Sequence, residues 1–172
     1  MLKNYIRDTL VPKSLTDTDL HRNGISNIVS YSDLENLSSI NQLPLQEGLI
    51  LLYQLEDENT GHWTSLFRNS DGLVEFFDPY GKKPDHWLFK MKSYNNEYPY
   101  LTQLLLQEQK DTDQPIVYNE VAFQKNGSDI STCGRWCILR LKYKNLPLDM
   151  FQKCFGFDKI SLTSDELVSL II

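Results

Sequence analysis

A chain of 172 residues with 41% hydrophobic and 23% charged residues has the composition of a globular protein, and its length predicts one domain over residues 1–172. The formal net charge of −6 argues against a general affinity for nucleic acid, which requires a basic face. The longest apolar run, Leu49–Tyr53, is too short to cross a bilayer, and Met1–Ser14 lacks the apolar stretch of a signal peptide. Because the number of cysteines is odd, at three, we expect free thiols in a reducing compartment. The short apolar runs predict that the protein has no membrane partner. One local basic cluster has the pattern of a solvated face: Lys82, Lys83, Lys90 and Lys92.

The first third of the chain predicts two short helices and a buried strand. Thr16–Arg22 has a helical pattern, and Asn23-Gly24 closes it. Ser32-Asp33-Leu34-Glu35 has the spacing of a capping box, which predicts a second short helix starting there. Gly48–Leu55 is a compact apolar run of the kind found in buried strands.

A hairpin is predicted in the middle of the chain. His62–Arg68 reads as a strand, Asn69–Gly72 as a hairpin loop and Leu73–Asp78 as the partner strand. His62 therefore begins one strand and Asp78 ends the next. In an antiparallel hairpin these two positions lie at the same end of the sheet, so a His–Asp pair is expected there.

The second half of the chain is predicted to be mostly helical. Its expected elements are a helix over Pro99–Gln109, a short strand over Ile116–Tyr118 that Val121–Gln124 could extend, a helix over Thr132–Tyr143 capped by Ser131 or Thr132, and closing helices over Leu148–Cys154 and Ser164–Leu170. The Thr132–Tyr143 helix carries apolar residues on more than one face, which predicts deep burial.

Cys133 lies at the start of the predicted Thr132–Tyr143 helix. A helix N-terminus favours a thiolate and offers unpaired N–H groups to an oxyanion, and Gly134 lets a substrate backbone approach closely. A lone cysteine is usually a small buried hydrophobe, but the polar loop, the cap and the glycine around Cys133 favour a nucleophile. Cys137 and Cys154 are interpreted as core residues, and no metal site is expected because a second ligand pair is missing.

Three histidines could act as the base for this thiol. His21 is expected on the surface, and His86 is the competitor, in a basic amphipathic segment. His62 has the stronger context because Asp78 follows it one strand later. Asp78 could alternatively cap the turn after its strand, while Glu75, the other available acid, is expected to face elsewhere.

Gln124 is the remaining polar candidate. Its side-chain amide could donate a hydrogen bond to a reacting carbonyl, although a glutamine taken alone is ordinarily a surface residue. Nine positions separate it from Cys133.

Taken together, these motifs resemble the adenain and SUMO-specific cysteine proteases. The matching residues run in the chain order His, acid, Gln, Cys: Gly61-His62-Trp63, Phe77-Asp78-Pro79-Tyr80-Gly81, Gln124 and Thr132-Cys133-Gly134. The resemblance covers about residues 48–143. It implies an α+β, papain-like fold in which the nucleophile helix packs on a mixed β-sheet.

The resemblance also implies roles for these residues. His62 would be the base, Asp78 its orienting acid, Gln124 the oxyanion donor and Cys133 the nucleophile. The loop from Gln124 to Cys133 is a few residues longer than is usual in these proteases, so either residues 130–132 bulge or another group supplies the donor. Trp63 and Gly134 would contact the substrate, in a narrow cleft that admits small side chains near the cleaved bond.

The function implied is that of a monomeric cysteine endopeptidase, without a cofactor, that cleaves viral or virophage capsid precursors near glycine through a thioester. Such a protein would act in the virion and the host cell interior. Two alternatives stay open: an isopeptidase that removes ubiquitin or SUMO-type modifiers, and an inactive protein-binding module of the same fold.

Overall fold

A five-stranded mixed sheet forms the centre of the protein. The computed structural model describes residues 2–55, 61–91, 98–158 and 161–172. The strands lie in chain order, β1-β2-β3-β4-β5. The two outer pairs, β1–β2 and β4–β5, are parallel and the inner pairs are antiparallel. The strands are β1 (Ile28–Ser30), β2 (Leu49–Gln54), β3 (Gly61–Arg68), β4 (Val74–Phe77) and β5 (Val117–Tyr118).

Helices cover both faces of this sheet. The α-helices are α1 (Leu2–Tyr5), α2 (Asp17–Arg22), α3 (Tyr100–Thr112), α4 (Cys133–Lys142), α5 (Leu148–Phe155) and α6 (Ser164–Ile171). A π-helical turn, Ile6–Leu10, follows α1, and 3₁₀ turns occur at Tyr31–Asn36, Ile40–Gln42 and Leu88–Lys90. Among the described residues, the helices are all too short or too polar to span a membrane.

The predicted β3–β4 hairpin is confirmed. The Asn69 side chain accepts hydrogen bonds from the backbone N–H groups of Asp71 and Leu73, and Gly72 has a φ of 78°, which glycine adopts without strain. The hairpin register pairs Ser65 with Phe77. The start of β3 and the residue that follows β4 therefore lie at one end of the sheet.

The sheet separates two hydrophobic cores because successive side chains of a strand point to opposite faces. Phe77 and Trp63 pack on the α4 side, together with Trp136 of that helix. Phe76 packs on the α3 side, together with Leu101. The predicted α+β class, with the helix that begins at Cys133 packed on a mixed sheet, is confirmed.

Helix α4 is buried all around, as its apolar pattern predicted. Residues 134–141 are all buried, and they include Arg140, which has no exposed surface. The Arg140 guanidinium donates two hydrogen bonds to the Glu75 carboxylate, 2.8 Å to Oε1 and 3.0 Å to Oε2. Glu75 thus faces α4 and not His62, as the sequence predicted.

Three smaller predictions were wrong. The second short helix is capped two residues earlier than expected, because Ser30 and Asp33 share the capping-box spacing and the Asp33 carboxylate accepts from the Ser30 N–H. Residues 121–124 do not extend β5. Instead, the N–H groups of Phe123 and Gln124 donate to the Pro79 carbonyl. Cys154 is exposed on α5 rather than in the core, whereas Cys137 is fully buried as predicted.

Candidate active site

His62 and Asp78 form a buried pair at the end of the β3–β4 hairpin. The His62 Nε2 atom lies 2.9 Å from Asp78 Oδ1 and donates to it, since the carboxylate can only accept. Only 4% of the His62 surface is exposed, and Asp78 is completely buried. This bond fixes the orientation of the imidazole and leaves Nδ1 free to face away from the carboxylate.

Cys133 is the first residue of α4 and lies against the other side of the imidazole. The His62 ring and the backbone N–H groups of Trp63 and Gly134 interact with its thiol and favour the thiolate. Three stretches that are distant in the sequence therefore meet at the sulfur: the start of β3, the end of β4 and the N-terminus of α4. The structure brings together the three residues predicted as nucleophile, base and acid.

The electrostatics of this cluster favour a charged pair. Burial is the largest effect on His62 and lowers its pKa, but the charge and hydrogen bond of Asp78, together with Cys133, outweigh it and raise the pKa to about 9. Burial also raises the pKa of Cys133, yet the hydrogen bond and charge of His62 reverse this and lower it below its usual value. Both shifts favour the thiolate–imidazolium pair over the neutral thiol and imidazole.

The Asp78 carboxylate accepts hydrogen bonds from two further donors besides His62. Its Oδ1 atom also accepts from the Tyr80 backbone N–H at 2.8 Å, and its Oδ2 atom accepts from the Trp87 indole Nε1–H at 2.7 Å. The Asn119 side chain forms two hydrogen bonds with the Asp78 backbone: it accepts from the Asp78 N–H and donates to the Asp78 carbonyl. A buried carboxylate with three donors is oriented firmly.

Sequence reasoning missed Trp87 and Asn119. The ring centroids of Trp87 and Tyr80 lie 4.5 Å and 5.2 Å from that of His62, so these two rings enclose the imidazole. Trp87 stands beside His86 in the sequence, where the histidine is the more obvious candidate for a catalytic role. No spacing motif distinguishes Asn119, which reaches Asp78 only through the parallel pairing of β4 and β5.

The structure brings Gln124 to the same cleft but gives its amide other partners. Its Nε2 group donates to the Tyr80 hydroxyl at 2.8 Å and to the Ile130 carbonyl at 3.2 Å. Its Oε1 atom is buried and has no hydrogen-bond partner among the described residues. Both N–H bonds of the amide are thus engaged within the protein.

A cleft of roughly 300 Å³ lies over these side chains. Leu15 and Trp63 bound it, and a β-carbon added at Gly134 would lie 3.3 Å from both. A side chain at position 134 would therefore crowd Leu15 and Trp63, so glycine favours close packing inside the protein here, a different reason from the predicted approach of a substrate backbone. The contact of Trp63 and Gly134 with a substrate stays a prediction.

The N-terminal segment, which carried no recognisable motif, forms one wall of this cleft. The Val11 carbonyl accepts from the Ser131 N–H at 2.9 Å, and the Lys13 carbonyl accepts from the Arg135 side chain at 2.6 Å. Leu15 is itself only 9% exposed. These contacts fix the residues on both sides of Cys133.

The other candidate bases lie away from the sulfur. The His21 ring bonds to the Ile25 carbonyl at 2.7 Å, and His86 is exposed with its ring against Trp87 and Phe89. Within the described ranges, no group of three or more His, Cys, Asp or Glu side chains could hold a metal ion.

The chain has a clear relative among known proteins, although no protein-family model matches it. A protein of Sputnik virophage, named "Uncharacterized protein V9", is 39% identical over 152 residues, which are 84% of this chain and 84% of the relative. The chain belongs to the family of this virophage protein.

Two solved structures are similar at a much lower level. The C-terminal Ulp1 protease domain in complex with Smt3, the yeast orthologue of SUMO, has a TM-score of 0.38 and 15% identity over 97% of this chain and 76% of its own. The SUMO protease Ulp1 with its catalytic cysteine oxidised to a sulfinic acid has a TM-score of 0.36 and 14% identity over 98% of this chain and 77% of its own.

Proposed function

We propose that this protein is a cysteine endopeptidase in which Cys133 is the nucleophile, His62 the base and Asp78 the orienting acid. One observation carries the proposal: the His62 imidazole bridges a buried carboxylate and a thiol at a helix N-terminus. This arrangement contains the parts that acyl transfer to sulfur requires.

The reaction follows from the geometry. The Cys133 thiolate attacks the carbonyl carbon of the scissile peptide bond and forms a tetrahedral oxyanion. Protonated His62 then donates its proton to the leaving amine, and the C–N bond breaks to give a thioester on Cys133. His62 next takes a proton from water, which attacks the thioester and releases the acid product and the thiol.

The oxyanion needs hydrogen-bond donors near Cys133. The backbone N–H of Cys133 lies in the first turn of α4, where helical N–H groups have no intrahelical acceptor. Gln124 is the second donor that we propose. Its amide must release the Tyr80 hydroxyl or the Ile130 carbonyl before it can donate to a substrate.

We further propose that the substrates are viral capsid precursors cut next to glycine. The approach of Leu15 and Trp63 across the cleft supports the preference for small residues, and the relationship to a virophage protein supports a viral substrate. On this proposal the whole chain acts as one protease domain, in the virion and inside the host cell.

A cysteine-directed electrophile tests the nucleophile directly. Cys154 is exposed and would also react, so the experiment uses a Cys154→Ser background. We expect labelling of Cys133 and cleavage of glycine-containing capsid precursors, and loss of both in Cys133→Ala. Labelling that is unchanged in Cys133→Ala would exclude the peptidase.

The same protein separates the remaining alternatives. Cleavage of ubiquitin-like conjugates but of no capsid precursor would identify an isopeptidase. A protein whose Cys133 is not labelled, and that cleaves neither substrate class, would be an inactive binding module.

A further inference from the structure

Lys90 lines the cleft that contains the proposed catalytic pair, His62 and Cys133. Its Nζ atom lies 5.2 Å from the ring centroid of Trp87 and 5.6 Å from that of Phe89. Since Trp87 donates to Asp78, a cation–π contact holds the Lys90 ammonium one side chain away from the buried carboxylate.

No carboxylate of the described residues neutralises this ammonium. Asp85 is the only acid between residues 79 and 91, and its two oxygens accept from the Tyr31 hydroxyl and the Thr102 N–H, 2.7 Å each. Neither Lys82 nor Lys90 forms an ion pair with a described residue. Lys92 lies outside the described part of the chain.

The positive charges of Lys82 and Lys90 also act on His86. Burial has the largest effect and lowers the pKa of His86, the charges of Lys82 and Lys90 lower it further, and the charge of Asp78 opposes them. We call Lys82, His86, Phe89 and Lys90 the basic rim. The rim is an island of positive charge on a chain whose net charge is −6.

The basic rim also exposes a large apolar side chain. Phe89 is 70% exposed, and its ring packs edge-on against His86. An exposed aromatic ring next to an unpaired cation, at the mouth of a cleft, is typical of a surface that a protein segment covers.

The pocket next to this cleft carries an acidic side chain. An adjoining pocket of roughly 490 Å³ shares Leu15 and Trp63 with the first and is lined by Asp17. His62 and Cys133 do not line this second pocket. An extended peptide in the cleft would thus meet Lys90 near the reacting atoms and Asp17 further away.

We propose that the basic rim selects substrates that carry an aspartate or glutamate close to the scissile bond. This inference rests on the proposed peptidase function. A peptide is favoured over nucleic acid as the partner because Lys90 opens into the cleft of Cys133 and the protein as a whole is acidic. The selection acts through charge complementarity, which rewards the correct carboxylate and repels a substrate lysine at that position.

Quenched fluorescent peptides with a Gly-Gly centre test the rim. Each position on both sides of the centre carries Asp, Asn or Lys in turn, and kcat/KM is compared for wild type, Lys90→Gln and Lys90→Glu. The matched control is Lys110→Gln, an exposed lysine in the last turn of α3. We expect one peptide position at which kcat/KM is about twofold to fivefold higher with Asp than with Asn. This ratio should decrease in high salt, which screens the charges.

The variants fix the assignment to Lys90. Lys90→Gln should remove the preference, Lys90→Glu should invert it toward Lys, and Lys110→Gln should keep it. Equal kcat/KM for Asp and Asn peptides at every position of wild type, or a preference unchanged in Lys90→Gln, would overturn the inference and leave the peptidase proposal intact.

If no peptide is cleaved, the binding of the same peptides to the Cys133→Ala variant separates the two proposals. Fluorescence anisotropy then measures the affinities of the same peptides without turnover. An Asp preference that Lys90→Gln abolishes would support the rim although the peptidase had failed, and equal affinities would overturn it. Displacement of the peptides by single-stranded DNA, lost in Lys90→Gln but kept in Lys110→Gln, would assign the rim to nucleic acid instead.

Discussion

At the scale of single residues, the Asp78 carboxylate is the group on which the site depends. It accepts from the His62 ring, the Tyr80 backbone and the Trp87 indole, so its orientation is set from three directions. The pKa of His62 follows from this carboxylate, and the lowered pKa of Cys133 follows in turn from His62.

Trp87→Phe tests the contribution of the indole to this chain of contacts. The substitution removes the Nε1–H donor to Asp78 but keeps an aromatic ring beside His62. We expect the alkylation rate of Cys133 at neutral pH, and any kcat/KM, to fall about tenfold to a hundredfold, because a buried acceptor loses its partner. Wild-type rates in Trp87→Phe would show that the tryptophan serves only as packing.

Sequence reasoning found His62, Asp78 and Cys133 because hairpin geometry and a helix N-terminus are local features. It did not find the hydrogen bonds that engage the Gln124 amide, since its partners Tyr80 and Ile130 come from separate loops. It also misplaced Cys154, because the amphipathic pattern of a short helix does not say how deeply each position is buried.

At the scale of elements, the orientation of α4 depends on a carboxylate from α6. Asp165 is 2% exposed, and its Oδ1 atom accepts from the Thr132 hydroxyl at 2.5 Å and from the Trp136 indole at 3.1 Å. Its Oδ2 atom accepts from the Lys125 N–H at 2.9 Å. Asp165 thus joins α6 to the first turn of the Cys133 helix and to the loop after Gln124.

Asp165→Asn should lower the free energy of unfolding by about 2–4 kcal/mol, because the amide cannot accept from all three donors at once. Urea denaturation measures the change. Asp149→Asn is the matched control, since Asp149 is exposed on α5 and forms a surface ion pair with Lys153 at 3.2 Å. We expect the control to change stability by less than about 0.5 kcal/mol. Equal effects of the two substitutions would contradict the role of Asp165.

The order of strands and helices was largely readable from the sequence. Turn residues such as Asn69 and Gly72, and apolar runs such as Gly48–Leu55, mark their boundaries locally. The N-terminal wall of the cleft was not readable, because Val11 and Lys13 contribute backbone carbonyls and any residue type carries a carbonyl. The burial of Arg140 could not be predicted from the sequence either, because its partner Glu75 lies on a strand that is distant in the sequence.

At the scale of the whole molecule, two cores share one sheet, and we propose that they fold as a single domain. Trp63 and Trp136 report on the α4 side, and Trp87 reports on the α3 side. Because β3 and β4 contribute side chains to both cores, we expect unfolding followed by tryptophan fluorescence to coincide with unfolding followed by far-ultraviolet circular dichroism. Two separate transitions would show that the faces unfold independently.

The pH dependence of Cys133 alkylation tests the thiolate–imidazolium pair most directly. The pKa of Cys133 is lowered and that of His62 is raised to about 9, so the ion pair exists above the lowered pKa of Cys133 and below about pH 9. It is lost by thiolate protonation at lower pH and by imidazolium deprotonation as pH rises through about 9.

In the Cys154→Ser background, the rate of reaction with iodoacetamide should fall less steeply below pH 8 than that of an ordinary thiol, because the pKa of Cys133 is lowered. An ordinary thiol slows about tenfold per pH unit over this range, and His62→Ala should restore that slope. If the otherwise wild-type protein shows the same steep decline as His62→Ala, His62 does not ionise Cys133 and the proposed mechanism is wrong.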